Sequence, residues 1–149
     1  MSKNSENFKT LDLKIKTPIE IFEEKYGALM QDILDKIATI LEQRIDFTKS
    51  EIDACININF RWKNPKKDQK VPFLLIPKDL FESFLVNPYF LKILLKMFSQ
   101  KWWYVNHYIY EEYYDDPHNR KRVYNKNGEL IAKTILLAFL PDISNSLYE

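Results

Sequence analysis

Residues 102–114, WWYVNHYIYEEYY, carry seven aromatic side chains in thirteen positions, with Val105 and Ile109 set between them. Read with period 2, Trp102, Tyr104, Tyr108 and Tyr110 share one side. Trp103, Val105, His107 and Ile109 share the other. Aromatic and β-branched side chains suit a pleated, half-buried surface, so the stretch predicts a long strand at the centre of a sheet.

Working outward from it, Asp115-Asp116-Pro117-His118 is a turn-rich connection, and Asn127-Gly128 is the strongest two-residue hairpin signal in the chain. The pattern therefore predicts Arg120–Lys126 and Glu129–Leu140 as the two arms of a hairpin, ended by Pro141. Residues 131–140 also have helical propensity; the Asn-Gly turn decides for strand. On the N-terminal side, Tyr89–Gln100 predicts a helix that is apolar almost all round, preceded by a shorter helix in Pro77–Val86. Before these, Ala54–Trp62 alternates as a strand. The loop NPKKDQK and the short run Val71–Ile76 follow, which reads as a hairpin whose second member is demoted to an edge by Pro72.

Thr17-Pro18-Ile19-Glu20 has the form of a capping box with proline in the first turn. Tyr26, Leu29, Met30, Ile33, Leu34, Ile37, Ile40 and Leu41 then continue at i, i+3, i+4 spacing towards Ile45, with a stop or kink expected at Gly27. Thr10–Lys16 alternates Leu11, Leu13 and Ile15 against charged residues and predicts an edge strand. Residues 1–9 are expected to be a flexible tail. The expected fold is α+β: one domain over residues 1–149, in the order β-α-ββ-αα-βββ. Its sheet would be mostly antiparallel, packed on one face by a long N-terminal helix and two central helices.

Composition narrows the function classes. A chain of 149 residues with 22 basic and 21 acidic side chains has no global field towards nucleic acid or anionic lipid. Two glycines argue against phosphate-cradling loops, which need several. One cysteine, Cys55, forbids an intrachain disulfide and fits a reducing compartment. The polar start MSKNSENFKT has no apolar core of a signal peptide, and the apolar runs are too short to span a bilayer. The expectation is a cytoplasmic protein without a membrane span and without a cofactor.

Three sets of residues carry chemistry. His107, Glu111, Asp115, Asp116 and His118 are the acid–base and metal-binding types, but strand spacing puts 107 and 111 about 13 Å apart. Only Asp116 and His118 are near enough in a turn to share an ion, and the plainer reading is a solvated turn. Cys55 has neither histidine near it in sequence, which favours a structural thiol over a nucleophile. Lys66 and Lys67 on one loop, with Arg120 and Arg122 on the other hairpin, are candidate phosphate contacts beside aromatic residues able to stack bases.

The surplus of large apolar side chains over 84–114 points instead to a protein–protein interface. Its candidate anchors are Phe84, Leu91, Leu94, Leu95, Phe98, Trp102, Trp103, Tyr104 and Tyr108. The sequence thus favours a non-enzymatic interaction module, an adaptor, inhibitor or assembly subunit that binds a protein or itself. A single-stranded nucleic-acid binder comes second and a metal-dependent hydrolase third.

Overall fold

The hairpin expected from residues 54–76 does not form. In the computed structural model, which describes residues 10–62, 71–111 and 132–143, Ile56–Arg61 (β1) and Phe73–Leu75 (β2) run parallel, with Phe60 opposite Leu74. Only three residues overlap, so the return from the end of β1 spans about 10 Å, within reach of the connection between the strands. Asn59 N–H donates to the Pro72 carbonyl and Ile76 N–H to the Arg61 carbonyl, both at 2.8 Å.

The remaining strands are Trp103–Glu111 (β3) and Ala132–Pro141 (β4), and the sheet order is β2-β1-β4-β3. β4 is antiparallel to both of its neighbours. The fold is α+β with a mixed sheet, not a mostly antiparallel one. β4 explains the choice of strand over helix for 131–140: with strands on both sides, it offers Ile135, Leu137 and Phe139 to one buried face and Ala138 to the other. A strand so placed reads as a continuous apolar run. β3, expected at the centre, is the outermost strand among the described residues. Its aromatic character comes from its two faces and not from neighbours on both sides.

Pro18–Arg44 (α1) is one helix of 27 residues, about 40 Å long. No stop occurs at Gly27, because a glycine that keeps helical backbone angles only weakens a helix and does not end it. The capping box forms as spelled: Thr17 N–H donates to Glu20 Oε1 at 3.0 Å and Glu20 N–H to Thr17 Oγ1 at 3.2 Å. The apolar stripe from Tyr26 to Leu41 is buried or half-buried throughout. Thr10–Lys16 is not a strand; Leu11, Leu13 and Ile15 are exposed. Alternation alone does not make a strand when no neighbour takes up its backbone groups.

The chain forms two compact units, Met1–Lys36 and Ile37–Glu149. In the second, Lys78–Ser83 (α2) and Tyr89–Ser99 (α3) follow β2. The fully enclosed side chains of this unit are Ile37, Leu41, Ile58, Phe60, Leu80, Phe81, Phe90, Leu94, Ile135, Leu137 and Phe139. Phe84 joins the two helices to the sheet, with its ring 5.9 Å from Phe60 and 5.0 Å from Phe90, and Phe98 meets Phe139 edge-on at 5.1 Å. No helix among the described residues is long and apolar enough to cross a membrane.

Candidate functional site

The register assigns every sheet side chain to a face. Residues directly opposite each other share one, so Ile56, Ile58 and Phe60 lie with Ile135, Leu137 and Phe139 on the enclosed face. The second face carries Asn57, Asn59 and Arg61 from β1, Phe73 and Leu75 from β2, Leu136, Ala138 and Leu140 from β4, and Tyr104, Asn106, Tyr108 and Tyr110 from β3. Much of it is open: Tyr104 is 57% exposed, Tyr108 and Tyr110 36% each, and Phe73 and Leu75 are exposed as well. Arg61 and Ala138 are the exceptions, both buried.

From Trp103 onward β3 divides into the two sides that alternation predicts, with Tyr104 and Tyr108 on the open one, while Trp102, expected beside them, precedes the strand. The sequence missed Phe73, Leu75, Leu136 and Leu140, which join the two tyrosines only through strand pairing. The helical half of the expected interface divides by burial. Phe84, Leu91 and Leu94 are core residues, while Leu95, Phe98, Trp102 and Trp103 are half-buried. Phe84 meets Phe60 and Phe98 meets Phe139 on the enclosed face of the sheet, and this packing takes up those side chains.

Where α3 gives way to β3, a cavity of ≈ 410 Å³ is lined mainly by Leu41, Phe47, Trp102, Trp103 and Pro141, with the Asp142 carboxylate at its wall. Trp102 turns the chain there with a left-handed backbone, φ 65°. That conformation ordinarily falls to glycine at a helix end. Asp142 is only 8% exposed. The Tyr104 hydroxyl donates to its carboxylate, and the negative charge of Asp142 holds the Tyr104 phenol above its ordinary pKa. Tyr104 thus connects the rim of this cavity to the open face.

A second cavity, of ≈ 340 Å³, includes Arg44, Cys55 and Asn57. Burial pushes the Cys55 thiol up, opposite to what a nucleophile needs, and its Sγ lies 3.8 Å from Asn57 Oδ1. His107 is exposed. Among the described residues no three His, Cys, Asp or Glu side chains converge on a metal position. Asp115, Asp116 and His118, and likewise Lys66, Lys67, Arg120 and Arg122, lie outside the described residues.

Comparison with known proteins finds no match: none among family models, none among curated proteins and none among solved structures.

Proposed function

We propose that the chain is a non-enzymatic protein–protein interaction module that receives its partner on the open face of the sheet. The observation that carries the reading is the exposure of Tyr104, Tyr108 and Tyr110 in one row, with Phe73 and Leu75 at the far side of the same face. Tyrosine supplies large, rigid contact area with a polar tip and is enriched among the residues that dominate binding energy. The asparagines of β1 and β3 add hydrogen-bonding groups without charge. The partner best suited is a protein surface of apolar and hydrogen-bonding side chains, with few charges at its centre.

Stacking of single-stranded nucleic acid on the same tyrosines is the second reading, favoured by the same row. The face carries one described cation, the buried Arg61, so a phosphate backbone has little there to neutralise it. The experiment is a photo-crosslinking residue at position 108, compared with one at Lys92 on the exposed side of α3. A discrete polypeptide adduct in the native cell from position 108, absent from position 92, supports the reading. Adducts from both or neither, or salt-sensitive binding of oligonucleotides, overturns it.

A further inference from the structure

The cavity where α3 gives way to β3 lies wholly within the unit Ile37–Glu149, and its lining combines aromatic rings with carboxylates. Local chemistry brings each part there. At the end of α1, Ile45 N–H donates to the Leu41 carbonyl at 2.9 Å, and Leu41, Glu42 and Ile45 all line the cavity. Asp46 Oδ1 then accepts the Thr48 amide at 3.0 Å and the Thr48 hydroxyl at 2.6 Å, a turn that brackets Phe47. At the end of α3, Lys101 N–H donates to the Phe98 carbonyl at 3.0 Å and Trp102 N–H to the Ser99 carbonyl at 3.1 Å, which delivers Trp102 and Trp103 to the same cavity.

These rings are not spent on the core. Phe47 is 75% exposed and both tryptophans are only half-buried. Trp102 holds its place from a left-handed backbone, and strained residues of this kind gather at ligand clamps and active sites. At ≈ 410 Å³ the cavity falls in the range of roughly 300–1,000 Å³ that takes small organic ligands.

The lining charges are Glu42 and Asp142 against Lys101. Asp142 is buried, with its carboxylate accepting the Tyr104 hydroxyl, while Glu42 and Lys101 are exposed. An anion would meet like charge at the buried wall. A neutral apolar ligand would strip water from the carboxylates and return nothing. A metal ion or primary ammonium would lose a hydration shell that apolar walls cannot replace. A cation whose charge is spread over methyl groups sheds water readily and is attracted to aromatic faces, to tryptophan most of all. Residues 144–149, next in sequence, carry no lysine, arginine or histidine, so they bring no such charge of their own.

We propose that this cavity binds an organic cation of the quaternary-ammonium class, with its methyl groups against Phe47, Trp102 and Trp103 and its charge towards Asp142 and Glu42. The site is separate from docking on the open face and does not depend on it, although Tyr104 borders both.

The test uses the full chain, with choline as the probe. Its control is the uncharged isostere in which a tert-butyl group replaces the trimethylammonium. Choline at millimolar concentration is expected to shift the indole N–H resonances of Trp102 and Trp103 and to leave that of Trp62, which is outside the lining, in place. The isostere is expected to bind about tenfold more weakly. Asp142→Asn keeps the shape of the wall and an acceptor for Tyr104, and is expected to remove most of that difference. Phe47→Ala alters an exposed side chain, so the fold is retained, and is expected to weaken choline roughly threefold. A short peptide bearing trimethyllysine presents the same group from a tethered source. Either form binding above its uncharged counterpart supports the site, and the tighter of the two identifies the source. Equal binding of choline and its isostere, a shift at Trp62 as large as at Trp102 and Trp103, or unchanged affinity in Phe47→Ala overturns the inference. No shift at Trp102 and Trp103 also overturns it, since the cavity would then admit no ligand.

Discussion

Trp102 holds a left-handed backbone, φ 65°, and its carbonyl accepts the amide hydrogen of Asp142 at 2.8 Å, tying the end of α3 to the end of β4. A tryptophan at such an angle brings Cβ close to the following carbonyl, a conformation that glycine adopts freely. The indole lines the cavity beside Trp103, which accounts for a large residue standing where a small one is easier. Trp102→Gly and Trp102→Ala both lose that ring, but only alanine keeps the backbone penalty. The glycine variant is therefore expected to be more stable than the alanine variant by about 1 kcal/mol in urea denaturation. Equal stabilities would mean that the turn relaxes once the ring is gone.

Local features were legible in the sequence, and non-local ones were not. The capping box at Thr17 and Glu20 and the stripe from Tyr26 to Leu41 depend on residues within a few positions of each other, so spacing alone reveals them. The two sides of β3 were legible for the same reason. Its place at the rim was not, because strand order depends on β1 finding β4 across most of the chain. Ile56 faces Phe139 with no sequence signal linking them. Leu91 and Leu94 misled for a related reason: an apolar helix looks the same whether it packs under its own sheet or against a partner. Thr10–Lys16 shows the converse, alternation that pairs with no strand among the described residues.

Gly27 lies inside α1, and a Cβ added there would meet nothing within 4 Å. Gly27→Ala is expected to stabilise the helix by roughly 0.5–1 kcal/mol, since alanine loses less backbone entropy on becoming helical. A rise in the denaturation midpoint with unchanged slope is the expected result. A fall would mean that the glycine serves a purpose other than continuing the helix.

The amide of Thr17, and then its hydroxyl, holds the Glu20 carboxyl below its ordinary pKa. A carboxylate depressed in the folded state adds stability that is complete above its unfolded value. That contribution is lost as pH falls through the lower folded value. Helicity of α1 is therefore expected to decline as acid is added below about 4.5. In Glu20→Gln this part of the decline should vanish, because glutamine also completes a capping box but does not titrate. Thr17→Ala should lower stability by about 1 kcal/mol across the range. An unchanged acid profile in Glu20→Gln would count against the assignment.

Leu91 and Tyr108 separate core from surface within the segment first read as one interface. Leu91 is 4% exposed on α3, so Leu91→Asp buries a carboxylate in an apolar layer, at a cost on the order of 3–5 kcal/mol. It is expected to lose cooperative unfolding rather than to alter binding. Tyr108 stands opposite Leu136 on the open face, where water still reaches a new charge. Tyr108→Asp should therefore cost about 1 kcal/mol or less while placing a charge at the centre of the tyrosine row. Circular dichroism through a thermal ramp distinguishes the two: a folded Tyr108→Asp beside an unfolded Leu91→Asp is the expected pair. Were Leu91→Asp to fold and Tyr108→Asp to collapse, the faces would be assigned the wrong way round, and the proposal that a partner docks on the open face would fall.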